Sequence, residues 1–383
     1  MKLLHIADLH IGKRVNEFSM IPDQTFILGQ IVKLAETEHP DAVLIAGDVY
    51  DKGQPSAEAV ELLDDFLTKL AGLPVPVYMI SGNHDSPERL GFASRLLKPS
   101  GLHIAGTFDG LPQKVRILDE YGAVNIYLLP FIKPATVNPY LEKPAETYEE
   151  AVVAALNRAE IDASERNVLL AHQFVTCGAV SPGRSASESV SVGGLDHVDA
   201  SAFAAFDYVA LGHLHQPQSI GRDAVRYAGS PLKYSFSEAR HIKSATVVTL
   251  RAKGEVEARK IPLTPMRDLR EIRGELAELL GAGREDEQNT GDYIHATLTN
   301  EEEIYDAVGR MRQVYPNLMA LDFDNSRTRQ AVLFDTASSE DAAEKSPLEL
   351  FSEFYFLQNG KRLTPEQTSR MGRIFDQAGG RNE

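Results

Sequence analysis

Residues 208–217 read YVALGHLHQP. An apolar, β-prone run stops at Gly212, and two histidines with one leucine between them follow, His213 and His215. Such a run suits a strand buried on both faces, and the pattern delivers two imidazoles to its exit. The same arrangement recurs. KLLHIA (2–7) leads into Asp8 and His10, and AVLIAG (42–47) into Asp48. VYMISG (77–82) leads into Asn83 and His84, and NVLLA (167–171) into His172. NIYLLP (125–130) is a further apolar run. Helix-like stretches lie between, DQTFILGQIVKLAETEH (23–39) and PSAEAVELLDDFLTKLAGL (55–73). Alternating strand and helix means an α/β layered fold. After about residue 225 strands dominate, and 244–263 reads as a hairpin about Lys253 and Gly254.

In open α/β sheets the functional crevice lies outside the carboxyl ends of the strands. Five such ends therefore converge although they span more than 200 positions. They carry two carboxylates (Asp8, Asp48), one amide oxygen (Asn83) and four imidazoles (His10, His172, His213, His215). Seven oxygen and nitrogen donors exceed what one tetrahedral ion takes and suit two divalent ions sharing a bridge. Asp48 is the natural bridge. Paired ions ~3.5–4 Å apart clamp the attacking and leaving oxygens of an in-line phosphoryl displacement and acidify a water. A lone G-H-x-H or D-x-H is weak, because histidines cap strands and satisfy core carbonyls. G-N-H-D by itself is equally an ordinary Asn/Gly turn. The set carries the reading: five of the 11 histidines fall in these motifs, all at strand exits.

A chain of 383 residues has room for two or three domains. MKLLHIADLH at the start has no signal-peptide core, and no apolar run reaches the ~18 residues of a membrane span. The single cysteine, Cys177, rules out an internal disulfide framework and fits a reducing cytoplasm. A net charge of −16 argues at first against a nucleic-acid partner. Residues 266–383 carry 23 acidic and 14 basic side chains, against 32 and 25 in the first 265. Divalent cations would move the first domain toward neutrality, so a polyanionic substrate stays open. There is no G-x-x-x-x-G-K-[ST] loop, so ATP dependence would belong to another subunit.

The expected organisation is a catalytic domain over 1–264, a small α/β domain over 265–335, a polar linker over 336–345 and a helical hairpin over 346–383. Ser346-Pro347-Leu348-Glu349 and Thr364-Pro365-Glu366-Gln367 each place a capping residue, a first-turn proline and an acidic or amide residue three on. The Gly/Ser-rich segment 178–194 lies between two ligand strands, and Ser187, Glu188 and Ser189 are candidates for placing substrate, or parts of a surface loop. Lys13 and Arg14 are candidate phosphate contacts or solvated surface charges.

DLH (8–10), GDVYD (47–51), GNHD (82–85), AHQF (171–174) and GHLH (212–215), in that order, resemble the signature of the calcineurin-like metallophosphoesterases. LLHIADLHIGK, SGNHDSPERL, LGHLHQPQ, YAGSPLKYSFSE and LFSEFYFLQNGKRLTPEQ are similar to the SbcD-type nuclease subunits, bacterial relatives of the meiotic-recombination nuclease. The resemblance spans essentially the whole chain. It implies a layered metallophosphoesterase core of β-sheets flanked by helices, a small α/β capping or DNA-binding domain and a C-terminal helical hairpin. It implies one ion held by Asp8, His10, Asp48 and His215, a second held by Asp48, Asn83, His172 and His213, and manganese as the activating metal. His84 is implied to aid the leaving alcohol at the scissile phosphate. Asp85 would orient His84 or merely form the turn. Some archaeal relatives have a second histidine near position 51, where this chain has Asp51, which is left to act behind the ligands. DNA is the implied substrate, attacked at duplex ends and at hairpin or single-stranded sites during repair and recombination. The implied partners are an SbcC-type ATPase with a long coiled coil, docked by the tail hairpin, and a second copy of the chain, packed through helices around 57–70 and 88–97. Location would be cytoplasmic, at the nucleoid, with no membrane. A phosphoesterase for small substrates and a non-enzymatic tether are the competing functions.

Overall fold

The computed structural model describes residues 1–188, 196–286, 288–329, 346–359 and 361–379. They form two compact units, Met1–Leu269 and Arg270–Glu383.

The first unit contains two six-stranded sheets. In one, the order is Val256–Pro262, Ser244–Leu250, Lys2–Ile6, Ala42–Ala46, Val77–Ile80 and Leu102–Ala105. The four strands from Lys2–Ile6 onward are parallel, and Ser244–Leu250 joins them antiparallel. In the other, the order is Gln218–Ile220, Arg222–Tyr227, Tyr208–Gly212, Arg166–His172, Gly122–Leu129 and Gln113–Asp119. Its four central strands are parallel and both edge strands antiparallel. The apolar runs read from the sequence are all strands, shared between two sheets, in line with the layered core of β-sheets that the resemblance implied.

The sheets are stacked face to face. Leu3, Leu44, Tyr78 and Ile80 of one meet Val124, Ile126, Leu128, Val168, Leu170 and Ala210 of the other in a single buried cluster. Strand alternation turns Leu4, Val43 and Ile45 to the far side of the first sheet, where they are again fully buried. On the far side of the second sheet, Tyr127, Leu129, Leu169, Val209 and Leu211 pack with Ala151, Val152, Ala155 and Leu156 of the helix Tyr148–Arg158. Helices Ile21–Glu38 and Ala57–Ala71 bury Ile27, Leu28, Ile31, Leu62, Leu63 and Phe66. Ser56 caps the second of these by accepting from the Ala59 amide. The hairpin expected at Lys253-Gly254 is present, with Gly254 at φ +82°.

The helix expected over 88–97 is not continuous. It is two single turns, Pro87–Leu90 and Ser94–Leu97, with Ala93 between them in the left-handed region at φ +60°. A helix cannot pass through that conformation, and Phe92 and Leu96 are left 81% exposed.

The second unit has a three-stranded sheet, Leu269–Gly274, Tyr293–Leu298 and Leu318–Phe323, with Tyr293–Leu298 in the middle. Helices Leu276–Glu285 and Ala307–Arg312 supply Leu276, Leu279 and Met311 to a core shared with Ile294, Leu298, Tyr315 and Leu318. Further on are helices Pro347–Asn359 and Pro365–Gly379. Ser346 and Glu349 exchange both capping-box bonds, and Thr364 and Gln367 do the same. The two helices meet through Phe351 and Phe375, with ring centroids 5.8 Å apart. The expected linker, 336–345, lies outside the described residues. Among the described residues no helix is long and apolar enough to cross a membrane.

Candidate metal centre

Three strands of the first sheet and two of the second end at one place. Asp8 and His10 follow Lys2–Ile6, Asp48 follows Ala42–Ala46, and Asn83 and His84 follow Val77–Ile80. From the second sheet, His172 closes Arg166–His172, and His213 and His215 follow Tyr208–Gly212. The sheets approach closely enough there that a Cβ built on Gly212 would lie 2.0 Å from the Ala46 carbonyl oxygen. A Cβ on Gly82 would lie 2.1 Å from Asp48 Oδ1. Only glycine fits at either position.

The backbone at these exits is bent. Asp8, His10, Asp48 and His213 all have positive φ, at 54°, 44°, 48° and 103°. Each such residue costs roughly 1–3 kcal/mol and persists only where its surroundings hold it. Here the Asp8 amide donates to Gly47 O and the His10 amide to Asp48 O.

The side-chain donors face one another. His10 Nε2 and His215 Nε2 are 3.0 Å apart. His172 donates Nδ1–H to Ala46 O at 2.8 Å, and its Nε2 lies 3.0 Å from Asn83 Oδ1 and 3.3 Å from Asp48 Oδ2. His213 Nδ1 is also 3.0 Å from Asn83 Oδ1. Asp8 accepts from the His213 amide through one carboxylate oxygen, and its buried second oxygen finds no hydrogen-bond partner among the described residues. Three groupings bring ligand atoms within 4.8 Å of one another: Asp8, His10 and His215; His10, Asp48 and His84; Asp8, Asp48 and His172. Asp48 belongs to two of them, as does Asp8. Lone pairs aimed at lone pairs in a buried space call for cations, and the mixed oxygen and nitrogen set fits divalent metals.

The electrostatics carry the same demand. Burial pushes the Asp8 carboxyl up to about 7, against the pull of His172 and His215. Burial takes His213 down to about 3, with His172 adding to the effect. Burial also disfavours the charged forms of Asp48 and His172, but each more than offsets it for the other. Asp48 lies well below the usual carboxylate range, and His172 is raised to about 9.

His84, although grouped with His10 and Asp48, is anchored by contacts of its own. Its amide donates to Asp48 Oδ1, and its Nδ1 lies 3.0 Å from the main-chain oxygen of Asp51. Of the two readings the sequence left for Asp85, its hydrogen bonds fit the turn-forming one, and the Asp51 carboxylate lies behind a proposed ligand. Asp85 accepts the amides of Val49, Tyr50 and Gly82, which makes it a tie between two strand exits. The Asp51 carboxylate pairs with Lys13 at 2.7 Å and lies 3.6 Å from His10 Nδ1. Arg14 donates to the Glu17 carbonyl. Ser187 and Glu188 contact His215, while Ser189 lies outside the described residues.

Several supporting residues carried no sequence signal of their own. Gln24 donates to the carbonyls of Leu9 and His10 and accepts from the Gly12 amide, pinning the first motif. Tyr234 sets its ring edge-on to His10 and His215. Glu238 and Lys243 form a buried ion pair beside His215. Tyr234 and Glu238 fall inside YAGSPLKYSFSE, whose resemblance to known proteins was the available pointer.

Comparison with known proteins agrees with this architecture. The calcineurin-like phosphoesterase family model matches residues 1–217. A second model, described as the type 5 capsule protein repressor C-terminal domain, matches residues 265–359. The SbcD component of the nuclease SbcCD from Staphylococcus epidermidis is 35% identical over 333 residues, covering 85% of this chain and 87% of that one. The chain belongs to the calcineurin-like phosphoesterases, in their SbcD branch. As a calcineurin-like phosphoesterase it is a metal-dependent phosphodiester hydrolase that uses divalent ions. Two solved structures are also similar. Phosphopantetheinyl hydrolase from Mycobacterium tuberculosis is 17% identical, with a TM-score of 0.37 over 68% of this chain and 95% of that one. A dimetal phosphatase from Danio rerio is 14% identical, with a TM-score of 0.39 over 69% and 99%.

Gly212→Ala tests the close approach. The added methyl forces the two strand ends apart, and His172 moves away from Asp48. The variant is expected to fold with reduced stability and to lose divalent-metal binding in calorimetric titration. Wild-type metal binding by Gly212→Ala would contradict the tight junction.

Proposed function

We propose that the chain is the nuclease subunit of a two-component DNA-processing enzyme. It would cleave DNA phosphodiesters at duplex ends and at hairpin or single-stranded sites, in repair and recombination. The observation that carries the chemistry is that Asp48 stands in two of the donor groupings, which together draw on four strand exits. Asp8, His10, Asp48 and His215 would hold one ion, and Asp48, Asn83, His172 and His213 the other, with manganese as the metal. Bound ions supply positive charge to the phosphate and acidify the attacking water. The chain's own residues do the rest. Asp51 O holds Nδ1 of His84, so Nε2 is the nitrogen that addresses the departing alcohol, donating a proton when the ring is charged. Asp85 and Gln24 keep the ligand loops in register from behind.

The partner roles rest on the Staphylococcus epidermidis relative, whose name makes it one component of SbcCD and which is matched nearly end to end. The 265–335 region would cap the site and contact DNA. The tail hairpin would dock the coiled-coil base of an SbcC-type ATPase. Its Leu350, Phe354 and Ile374 are 41%, 55% and 49% exposed, more apolar surface than a helix pair covers on itself. A second copy would pack against the exposed apolar side chains of the 57–70 and 88–97 segments, Val60, Phe92 and Leu96 among them, placing two sites on one DNA. The working location would be the cytoplasm, at the nucleoid.

End-labelled duplex and hairpin DNA incubated with the chain and Mn²⁺ or Mg²⁺ tests the activity. Cleavage of small phosphodiesters but not DNA would move the reading to a small-substrate phosphoesterase. Asp48→Ala is expected to lose both ions and all cleavage. His84→Gln should keep both ions yet lose roughly 10²–10⁴-fold in rate, and a metal loss as complete as that of Asp48→Ala would refute this division of roles. Light scattering at micromolar concentration should give a dimer mass, and a monomer would remove the proposed packing of copies. Truncation after Thr336 should spare metal binding and basal Mn²⁺-dependent cleavage, because every proposed ligand precedes it, and should abolish capture of the ATPase. Full capture by the truncated chain would reassign the hairpin.

A further inference from the structure

His215 is held by a group of buried and partly buried polar side chains. Its Nδ1 is 2.8 Å from Ser187 Oγ and 3.4 Å from Glu238 Oε1. The Ser187 hydroxyl is itself 2.5 Å from Glu238 Oε1. A carboxylate only accepts, so the hydroxyl hydrogen goes to Glu238 and the hydroxyl oxygen turns its lone pair to the imidazole. Nδ1 therefore faces acceptors and must carry the ring hydrogen. Nε2 is left bare, aimed at His10 Nε2 3.0 Å away.

The main chain of His215 is held as firmly. Its amide donates to Glu188 Oε1 at 2.7 Å, and its carbonyl accepts from Lys243 Nζ at 2.8 Å. Lys243 also donates to Glu238 Oε2 at 2.5 Å and to Ser230 Oγ at 2.8 Å. Glu188 reaches back through its other oxygen to the Ser185 amide. Glu238 and Ser230 are fully buried, Lys243 is 4% exposed and Glu188 8%. Filling a core with a charged pair is no more stabilising than filling it with apolar side chains of similar volume. This pair does something apolar packing could not: one end fixes the ring of His215 and the other its carbonyl.

We propose that Glu238 and Lys243, together with Ser187 and Glu188, are positioning residues that lock His215 in the Nδ1–H form. Loading of one ion of the pair then depends on the seating of residues 185–188. Ser187 and Glu188 come from the segment between the strands that carry His172 and His213, so a surface loop is tied to a single ligand. The inference deepens the two-ion reading and rests on it.

Titration of the intact chain with Mn²⁺, followed by electron paramagnetic resonance and accompanied by thermal unfolding, tests it. The wild-type chain should bind two ions and show a spin-coupled signal. Glu238→Gln should weaken one ion by roughly 10–100-fold, the usual effect of losing a partner behind a metal ligand. The other ion should keep its affinity, giving the six-line signal of isolated Mn²⁺ at one equivalent. The double variant Glu238→Gln/Lys243→Met removes both buried charges and should show the same selective loss with a melting temperature nearer the wild type. Ser187→Ala alters only a loop side chain and should weaken the same ion several-fold, because Glu238 remains within reach of Nδ1. Two ions bound at wild-type affinity by Ser187→Ala and by whichever Glu238 variant folds would overturn the proposal, as would equal loss of both ions. Fewer than two ions on the wild-type chain would instead overturn the two-ion reading.

Discussion

Everything at the centre depends on one close approach, the seating of Gly212 against the carbonyl of Ala46. Two separate sheets end there, and the lack of a single Cβ lets their central parallel strands finish within bonding distance of each other. The Ala46 carbonyl then accepts from His172, a residue of the opposite sheet. That bond fixes which imidazole nitrogen faces Asp48. The register of the second sheet, in which Gly212 pairs with His172, fixes how far His213 and His215 reach beyond it. The ligand set is therefore a property of the junction between the sheets. Neither sheet could assemble it alone.

The strand exits were legible in the sequence because each is a local pattern, an apolar run broken by a ligand-type side chain. The division of the strands between two sheets was not. A strand buried on both faces looks the same whether helices cover both sides or a second sheet covers one. The 88–97 segment misled for a related reason. Leu90 and Leu97 sit seven apart, a helical spacing, but the left-handed Ala93 interrupts the run, and propensity does not register an alanine as a break. The surroundings of His84 and His215 were harder still. Whether Asp51 acts through its carboxylate or its main-chain oxygen is decided by backbone geometry that composition does not encode. Glu238 and Lys243 lie more than 20 positions from the ligand they support, and an acidic and a basic residue at that spacing are usually solvated.

Strain is distributed unevenly across the site. Asp8, His10, Asp48 and His213 all sit at positive φ, and together they cost several kcal/mol at the usual magnitude. His84 is not among them. Its ring is only partly buried, and it meets the ligands edge-on, 4.8 Å from His10. Rigid, strained backbone suits groups that must hold cations in place before substrate arrives. A histidine on unstrained backbone, with a partly exposed ring, is compatible with the role proposed for His84 at the phosphate.

An overall charge of −16 and a polyanionic substrate are compatible because charge acts locally. At physiological salt, exposed charges farther away than ~8 Å are largely screened, so acidic side chains elsewhere count for little at the scissile phosphate. Within the centre, the carboxylates of Asp8 and Asp48 are buried, and both need cations beside them. Outside it, Lys13 is held by Asp51, and the Arg184 guanidinium lies 3.6 Å over the ring of Phe174, which also meets the ring of His213. Positive side chains at the rim are thus fixed in place, while the negative ones inside are neutralised once metal is bound.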